Sequence, residues 1–189
     1  LYIGIPFCPS TCLYCSFTSY SIDQFENIVQ DYLEALLKEL DFVAKTYAHK
    51  ELQTMYIGGG TPTSLKEEDL EYLLYEVNKR FPFSKIQEIT VEAGRPDSLN
   101  FEKLKILKKY GVTRISINPQ SMNDKTLKLI GRNHFAQDIK EKFNLSRQAG
   151  IDNINMDMIC GLPEEDMEEL SYTLDEIKKL DPESLTVHA

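Results

Sequence analysis

Short apolar runs rich in β-branched residues alternate along the chain with longer segments in which leucine recurs every three or four positions. The short runs predict six strands, at Tyr2–Ile5, Thr54–Ile57, Glu88–Glu92, Arg114–Asn118, Ile154–Ile159 and Ser184–His188. These runs show little alternation between polar and apolar residues, which is typical of strands that are covered on both faces.

The intervening segments predict helices, because their apolar residues fall on one helical face. The clearest stripes are Leu33, Leu36, Leu37, Leu40 and Val43, then Leu70, Leu73, Leu74 and Val77. Ser64 and Glu67 have the spacing of a capping box at the start of the second helix. Further helices are expected around Leu104 and Leu107, over Asp124–Ile130 and Ala136–Ala149, and from Leu170 to Leu180. Their expected ends are Gly111, Gly150 and Asp181-Pro182.

Strands joined by helical crossovers imply a parallel sheet, because each connection has to return the chain to the same edge. A complete barrel of eight βα units needs about 250 residues, which is more than the 189 present. We therefore expect an α/β fold, a partial (open) TIM-type barrel of about six parallel βα units. A doubly wound sheet is the alternative. We expect residues 1–189 to be one core domain cut from a longer protein, since both ends lie within apolar runs.

Composition and charge narrow the classes of function. Hydrophobic residues make up 42% and charged residues 27% of the chain, as in ordinary globular proteins. The net charge of −9 argues against a nucleic-acid partner, because phosphate binding requires a basic face. No apolar run reaches the length of a membrane span and no signal peptide is visible, so we expect a cytoplasmic protein.

Polar and metal-binding residue types follow the predicted strands, where parallel α/β folds place their functional groups. In chain order they are Cys8, Cys12 and Cys15, then Gly58 to Thr63, Glu92, Asn118 to Gln120, Asp157 and His188. We interpret His188 as a structural residue at a strand end and leave it out of the site.

Three of the four cysteines, Cys8, Cys12 and Cys15, have C-x₃-C-x₂-C spacing. Thiolates hold iron–sulfur clusters, and a cubane normally takes four of them. Three local cysteines would leave one iron open to a small chelating molecule. The alternatives are reduced structural thiols, or a zinc site whose fourth ligand is Cys160 or a histidine, although zinc motifs more commonly use two separate pairs.

The turn after the second predicted strand reads Gly58-Gly59-Gly60-Thr61-Pro62-Thr63. Glycine allows a ligand to touch main-chain groups directly. The turn has neither the lysine of a P-loop nor the spacing of a dinucleotide-binding fingerprint. Its interest comes from its expected position one strand away from the cysteines.

Together, the cysteine loop CPSTCLYC and the turn GGGTPT resemble the radical S-adenosylmethionine superfamily. Within it, YIGIPFC, RISINPQSMNDKTLKLIGR and INMDMICGLPEE are similar to the oxygen-independent coproporphyrinogen III oxidase (dehydrogenase) family, and VEAGRPD to its HemZ-like branch. The resemblance covers essentially the whole chain. It implies two cofactors, a [4Fe-4S] cluster and S-adenosyl-L-methionine, and a radical SAM oxidoreductase with an unidentified electron donor.

The reaction implied by this resemblance belongs to haem biosynthesis. A 5′-deoxyadenosyl radical would drive oxidative decarboxylation of coproporphyrinogen III to protoporphyrinogen IX. The cluster ligands would be Cys8, Cys12 and Cys15. The cofactor-binding residues would be Tyr2, Tyr14 (through its main chain), Gly59, Gly60, Thr61, Glu92, Gln120, Arg132 and Asp157.

Structural alternatives stand beside these implied roles. The charged trio of Glu92, Arg132 and Asp157 would also suit an ordinary ion-pair network on a barrel rim. The amide of Gln120 would suit a cap on the next helix. We expect the fourth cysteine, Cys160, to be a buried and unreactive thiol.

Two positions depart from the better-characterised oxidase pattern. Gly4 stands where that branch tends to have histidine, and Phe17 where it has a further cysteine. The Cys-x-Phe form is also similar to relatives that act as haem chaperones. A haem-binding chaperone without decarboxylase activity is therefore the alternative function.

Overall fold

Six parallel strands form one sheet whose spatial order follows the order of the chain. The structure, a computed structural model, describes residues 1–189. The strands are β1 (Tyr2–Ile5), β2 (Thr54–Gly59), β3 (Glu88–Glu92), β4 (Arg114–Gln120), β5 (Ile154–Ile159) and β6 (Ser184–His188). Each strand pairs in parallel with the next, and β1 does not pair with β6. The sheet is therefore an open, partial barrel.

This strand order excludes the doubly wound alternative. A doubly wound sheet reverses its strand order at a switch point and places helices on both faces. Here the order never reverses. Because every pairing is parallel, all carboxyl strand ends lie at the same edge of the sheet.

Six helices connect or follow the strands. They are α1 (Val29–Thr46), α2 (Glu67–Arg80), α3 (Phe101–Lys109), α4 (Asp124–Leu129), α5 (Ala136–Gln148) and α6 (Met167–Leu180). Phe7–Cys8 and Tyr20–Ser21 form a separate two-stranded pair, and short helical turns lie at Ile22–Phe25, Glu26–Ile28, Pro62–Ser64, Phe83–Lys85 and Pro96–Ser98. None of the helices has the length and apolar character that crossing a membrane requires.

The leucine stripes of the first helices form the core, as predicted. All four stripe residues of α2 are fully buried, and those of α1 are buried except for Val43. In α6 only Ile177 of the stripe is buried, whereas Leu170, Leu174 and Leu180 are half-buried. The difference arises because α6 lies at the open side of the barrel, beside the largely exposed strand β6.

The predicted capping box of α2 is wrong. Ser64 belongs to the turn Pro62–Ser64, and α2 begins only at Glu67, with Lys66 at the N-cap and no side-chain cap. The hydroxyl of Ser64 is buried without a partner. Acidic residues in the first turn of α2 complement the helix dipole instead. The predicted helix ends at Gly111, Gly150 and Asp181 are confirmed, since all three adopt positive φ.

Two strands extend further than their apolar runs indicate. β2 continues through Gly58 and Gly59, which pair with Gly4 and Ile5 of β1. β4 continues to Gln120 across a register shift relative to β5. Both extensions lengthen the sheet at the edge where the polar strand ends gather.

Candidate functional site

The cysteine loop and the glycine turn lie against each other at the carboxyl edge of β1 and β2. The amide of Gly60 donates to the carbonyl of Ile5, and that of Thr61 to the carbonyl of Phe7, both at 2.7 Å. The Sγ of Cys8 lies 3.4 Å from the Oγ1 of Thr61. The first two motifs therefore share one site.

The glycines are required by close packing. A Cβ on Gly60 would lie 2.6 Å from the carbonyl oxygen of Phe7, and one on Gly58 would lie 2.9 Å from the carboxylate of Glu92. Gly59 has a φ of +109°, which favours glycine. The turn thus leaves its main chain unobstructed beside the cysteines.

All four cysteines are free thiols, and each is partly exposed. Burial raises the pKa of the Cys8 thiol, the hydrogen bond with Thr61 opposes the shift, and the nearby thiols of Cys12 and Cys15 add to it. The three sulfurs of the loop therefore interact. Cys160, which we expected to be a buried thiol, is only partly buried and packs against the core just after β5.

The donor set fits an iron–sulfur cubane. No three His, Cys, Asp or Glu side chains converge closely enough to hold a single metal ion, so the arrangement offers no closed zinc site of the usual tetrahedral kind. In a cubane each thiolate binds its own iron, and three soft donors on one exposed loop match that requirement.

Arg95, which the sequence did not single out as a site residue, contacts the cysteine loop. Its guanidinium donates to the Sγ of Cys12 at 3.1 Å and to both the carbonyl and the hydroxyl of Ser10. The opposite side of the fork binds both carboxylate oxygens of Asp97. The only signal in the sequence was its position in VEAGRPD, the stretch particular to one branch of the family.

Arg132 contacts the same loop from the segment between α4 and α5. Its Nε donates to the hydroxyl of Tyr14 at 3.1 Å, and a terminal nitrogen donates to the carbonyl of Gly94. Burial raises the pKa of Tyr14 to about 12 despite this cation. The amide of Leu13 also donates to the carbonyl of Ile130. Arg132 is thus fixed by neutral partners and belongs to no ion-pair network on the rim.

Glu92 is linked to the glycine turn. Its carboxylate accepts from the hydroxyl of Tyr56 at 2.7 Å and from the amide of Gly59 at 3.2 Å. Burial raises the pKa of Glu92, and these two donors oppose the shift. The ring of Tyr2 stacks on that of Tyr56 with centroids 5.9 Å apart. Tyr56 is a second contributor that the sequence did not single out, because it lies inside a strand.

Gln120 has a buried side chain whose Oε1 lacks a partner, and its φ is +65°. A buried, unpartnered amide oxygen is uncommon in folded proteins and is consistent with a ligand-binding role. It does not cap the next helix, since α4 has Asn123 at its N-cap. Asp157 accepts from Asn155 within the same sheet, and its charge reaches Glu92 and adds to the raised pKa there.

His134 and His188 differ in how far they are buried. His134 is buried near Arg132 and Arg95, and both of its ring nitrogens lack partners. Burial, with help from these cations, lowers the pKa of His134 to about 4. His188 is exposed at the end of β6.

Comparisons with known proteins identify the class. The profile of the Radical SAM superfamily matches residues 2–177. The chain belongs to this superfamily, whose members bind a [4Fe-4S] cluster and S-adenosylmethionine.

Several similar proteins have names that refer to coproporphyrinogen or heme. It is 49% identical to the "oxygen-independent coproporphyrinogen-III oxidase-like protein HemZ" of Bacillus subtilis, covering 100% of this chain and 38% of that protein. It is 42% identical to the "heme chaperone HemW" of the same organism, covering 100% and 49%. The solved coproporphyrinogen III oxidase HemN of Escherichia coli superposes with a TM-score of 0.87 at 27% identity, covering 100% and 43%. The chain thus spans less than half the length of these relatives.

Proposed function

We propose that the chain holds a [4Fe-4S] cluster on Cys8, Cys12 and Cys15 and binds S-adenosylmethionine across the same edge of the sheet. The contact of 3.4 Å between Cys8 and Thr61 carries this proposal. It puts the proposed cluster ligands beside the glycine turn, so that one small molecule reaches both.

The residues around the edge have separate proposed roles toward S-adenosylmethionine. The main chain of Gly59 and Gly60 with Thr61 lines one side, and the hydroxyl of Tyr2 lies beside Gly59. Acceptors for an ammonium group are Glu92 and Asp157, and the amide of Gln120 is free to bind. Arg132 supports the loop at Tyr14. When bound and reduced, the cluster supplies the electron that cleaves the sulfonium bond to give a 5′-deoxyadenosyl radical.

For the whole protein we propose oxidative decarboxylation of coproporphyrinogen III to protoporphyrinogen IX. Each of two propionates would lose a hydrogen atom to a 5′-deoxyadenosyl radical, and then CO₂ together with one electron, which passes to a separate electron acceptor. The names of the HemZ relative and of HemN support this substrate. We also propose that residues 1–189 are the radical SAM core of a longer protein that draws electrons from a separate donor. The unpaired cysteines support a reducing, cytoplasmic location.

An anaerobic assay tests the proposal. The full-length protein, reconstituted with iron and sulfide, is incubated with dithionite, S-adenosylmethionine and coproporphyrinogen III. We expect protoporphyrinogen IX and 5′-deoxyadenosine to accumulate together. Formation of 5′-deoxyadenosine without the porphyrinogen product would reject the substrate and keep the radical chemistry. A protein that takes up no iron and sulfide would reject the cluster site.

Haem binding is the second candidate function. Phe17 favours it, because this aromatic side chain is 72% exposed just after the cysteine loop, and because a heme chaperone is 42% identical. Stoichiometric haem binding by the full-length protein, without decarboxylation in the assay above, would support the chaperone. Loss of that binding in Phe17→Ser, but not in Phe42→Ser on the exposed face of α1, would place the haem at the loop.

A further inference from the structure

Arg95 is a cation enclosed beside a proposed cluster ligand. Its side chain is buried, and it reaches three separate groups: the carboxylate of Asp97, the Sγ of Cys12 and Ser10. A guanidinium holds its donors in a fixed fork, so partners on two sides define its orientation. The fork therefore joins the turn after β3 to the cysteine loop after β1.

The main chain that carries Arg95 is fixed independently of the loop. The hydroxyl of Ser98 donates to the carbonyl of Arg95 at 2.7 Å and is paired with the hydroxyl of Thr63. The buried ammonium of Lys103 donates to the carbonyls of both Thr63 and Ser98. Because these bonds lie among buried groups, Arg95 is positioned before any cofactor binds.

A hydrogen-bond donor that contacts a cluster thiolate has two physical effects. It fixes the ligand, as partners of metal ligands generally do. It also changes the reduction potential, because a hydrogen bond to sulfur and a nearby cation both favour the more negative, reduced state. The guanidinium of Arg95 contacts Cys12 directly, whereas the side chain of its counter-ion Asp97 is partly exposed to solvent.

We propose that Arg95 is a positioning residue of the cysteine loop, which holds Cys12 for cluster assembly and raises the reduction potential of the bound cluster. This inference rests on the proposed cluster site. The reduction concerned is the transfer of one electron from an external reductant to the cluster, with no bond broken and no proton taken up.

The test compares the full-length wild type with Arg95→Gln, Arg95→Lys and the control Arg80→Gln. Arg80 is also ion-paired, but it is the last residue of α2, and its partners are Asp41 of α1 and Glu76 of α2. Each protein is reconstituted anaerobically, its iron and sulfide are counted under competition from a chelator, and the cluster is titrated with dithionite while the EPR signal is recorded.

We expect Arg95→Gln to lose about 10-fold or more in iron affinity and to have a lower midpoint potential. Arg95→Lys keeps the charge but not the fork, so its iron affinity falls while its midpoint stays nearer that of the wild type. Arg80→Gln behaves as wild type. A purely structural role would move the melting temperature but not the midpoint.

Unchanged affinity and midpoint in Arg95→Gln would overturn the inference, as would a lysine variant whose midpoint falls as far as that of the glutamine variant. Should Arg95→Gln fail to fold, Arg95→Lys decides: a weaker hold on iron supports the inference, and wild-type affinity overturns it. A wild type that takes up no cluster refutes the proposed function, whereas loaded variants identical to a loaded wild type refute this inference alone.

Discussion

Gly60 packs so tightly against Phe7 that a methyl group at its Cα would lie 2.6 Å from the carbonyl oxygen of Phe7. The same methyl group would lie 2.9 Å from the carbonyl oxygen of Ile5. Both neighbours are main-chain atoms and cannot rotate away. We therefore expect Gly60→Ala to lower the free energy of unfolding by about 1–3 kcal/mol, measured by urea denaturation of the apo-protein.

Gly4→Ala is the matched control for Gly60→Ala. A Cβ at Gly4 meets nothing closer than the ring of Tyr2 at 3.6 Å, which is an ordinary contact. We expect its free energy of unfolding to change by less than about 1 kcal/mol. Equal free energies of unfolding for the two alanine variants would show that the main chain around Gly60 shifts readily to accommodate a Cβ.

Glu92→Gln should stabilise the protein increasingly as the pH rises. Burial raises the pKa of Glu92 above its ordinary value of 4.5. The stabilising contribution of the protonated carboxyl is therefore complete below pH 4.5 and is lost as the pH rises through the folded-state pKa. Since glutamine does not titrate, the stability of the variant minus that of the wild type should rise over this window and then level off.

The measurement for Glu92→Gln is urea unfolding at several pH values between about 4 and 8. Tyr56→Phe provides a second check, because the hydroxyl of Tyr56 lowers the pKa of Glu92. Its removal should shift the window toward higher pH. A stability difference that is flat across the range would contradict the raised pKa.

Lys103→Met should destabilise the turns that carry the site. The ammonium of Lys103 donates to the buried carbonyls of Thr63 and Ser98, and both would lose this partner. We expect a loss of about 2 kcal/mol or more in the free energy of unfolding. Lys105→Met, on the exposed side of the same helix, should change it by less than about 0.5 kcal/mol. Similar effects of both substitutions would contradict the structural role of Lys103.

Cys12→Ala should abolish the cluster and leave the apo-protein folded, because its loop lies outside the core. Iron and sulfide analysis and visible absorption after anaerobic reconstitution measure the first effect. Thermal melting of the apo-protein measures the second, with an expected change within about 1 kcal/mol. Cys160→Ala should keep the iron, the sulfide and the visible absorption. Global unfolding of Cys12→Ala would contradict a position of the cysteine loop outside the core.

Much of the fold was predictable because its strands and helices have distinct patterns. The covered strands read as apolar runs, and their number with the intervening helices indicated an open barrel. The helix ends at Gly111 and Gly150 followed from the need for positive φ. The start of α2 was not predictable from Ser64, because this residue ends the turn Pro62–Ser64 and the helix begins only at Glu67.

The candidate site was predictable only where its residues share a motif or a strand end. The cysteines and the glycine turn met both conditions. The contact between Arg95 and Cys12 joins residues 83 positions apart, and no local pattern encodes such a contact. Tyr56 was hidden for a related reason, since it lies inside a strand and contacts Glu92, which is 36 positions away. The unpartnered oxygen of Gln120 lies at a register shift between β4 and β5, which only the paired strands define.

The groups that fix the cysteine loop are spread along the chain. This spacing has a consequence for when the proposed cluster site can form during synthesis. The loop leaves the ribosome before Arg95, Ile130 and Arg132, which lie about 80 to 120 residues further along the chain. Until then its thiols have no fixed arrangement. Iron and sulfide delivered before Arg132 has emerged would meet a loop without these contacts, so assembly of the proposed cluster is expected to follow synthesis and folding of the segment through Arg132.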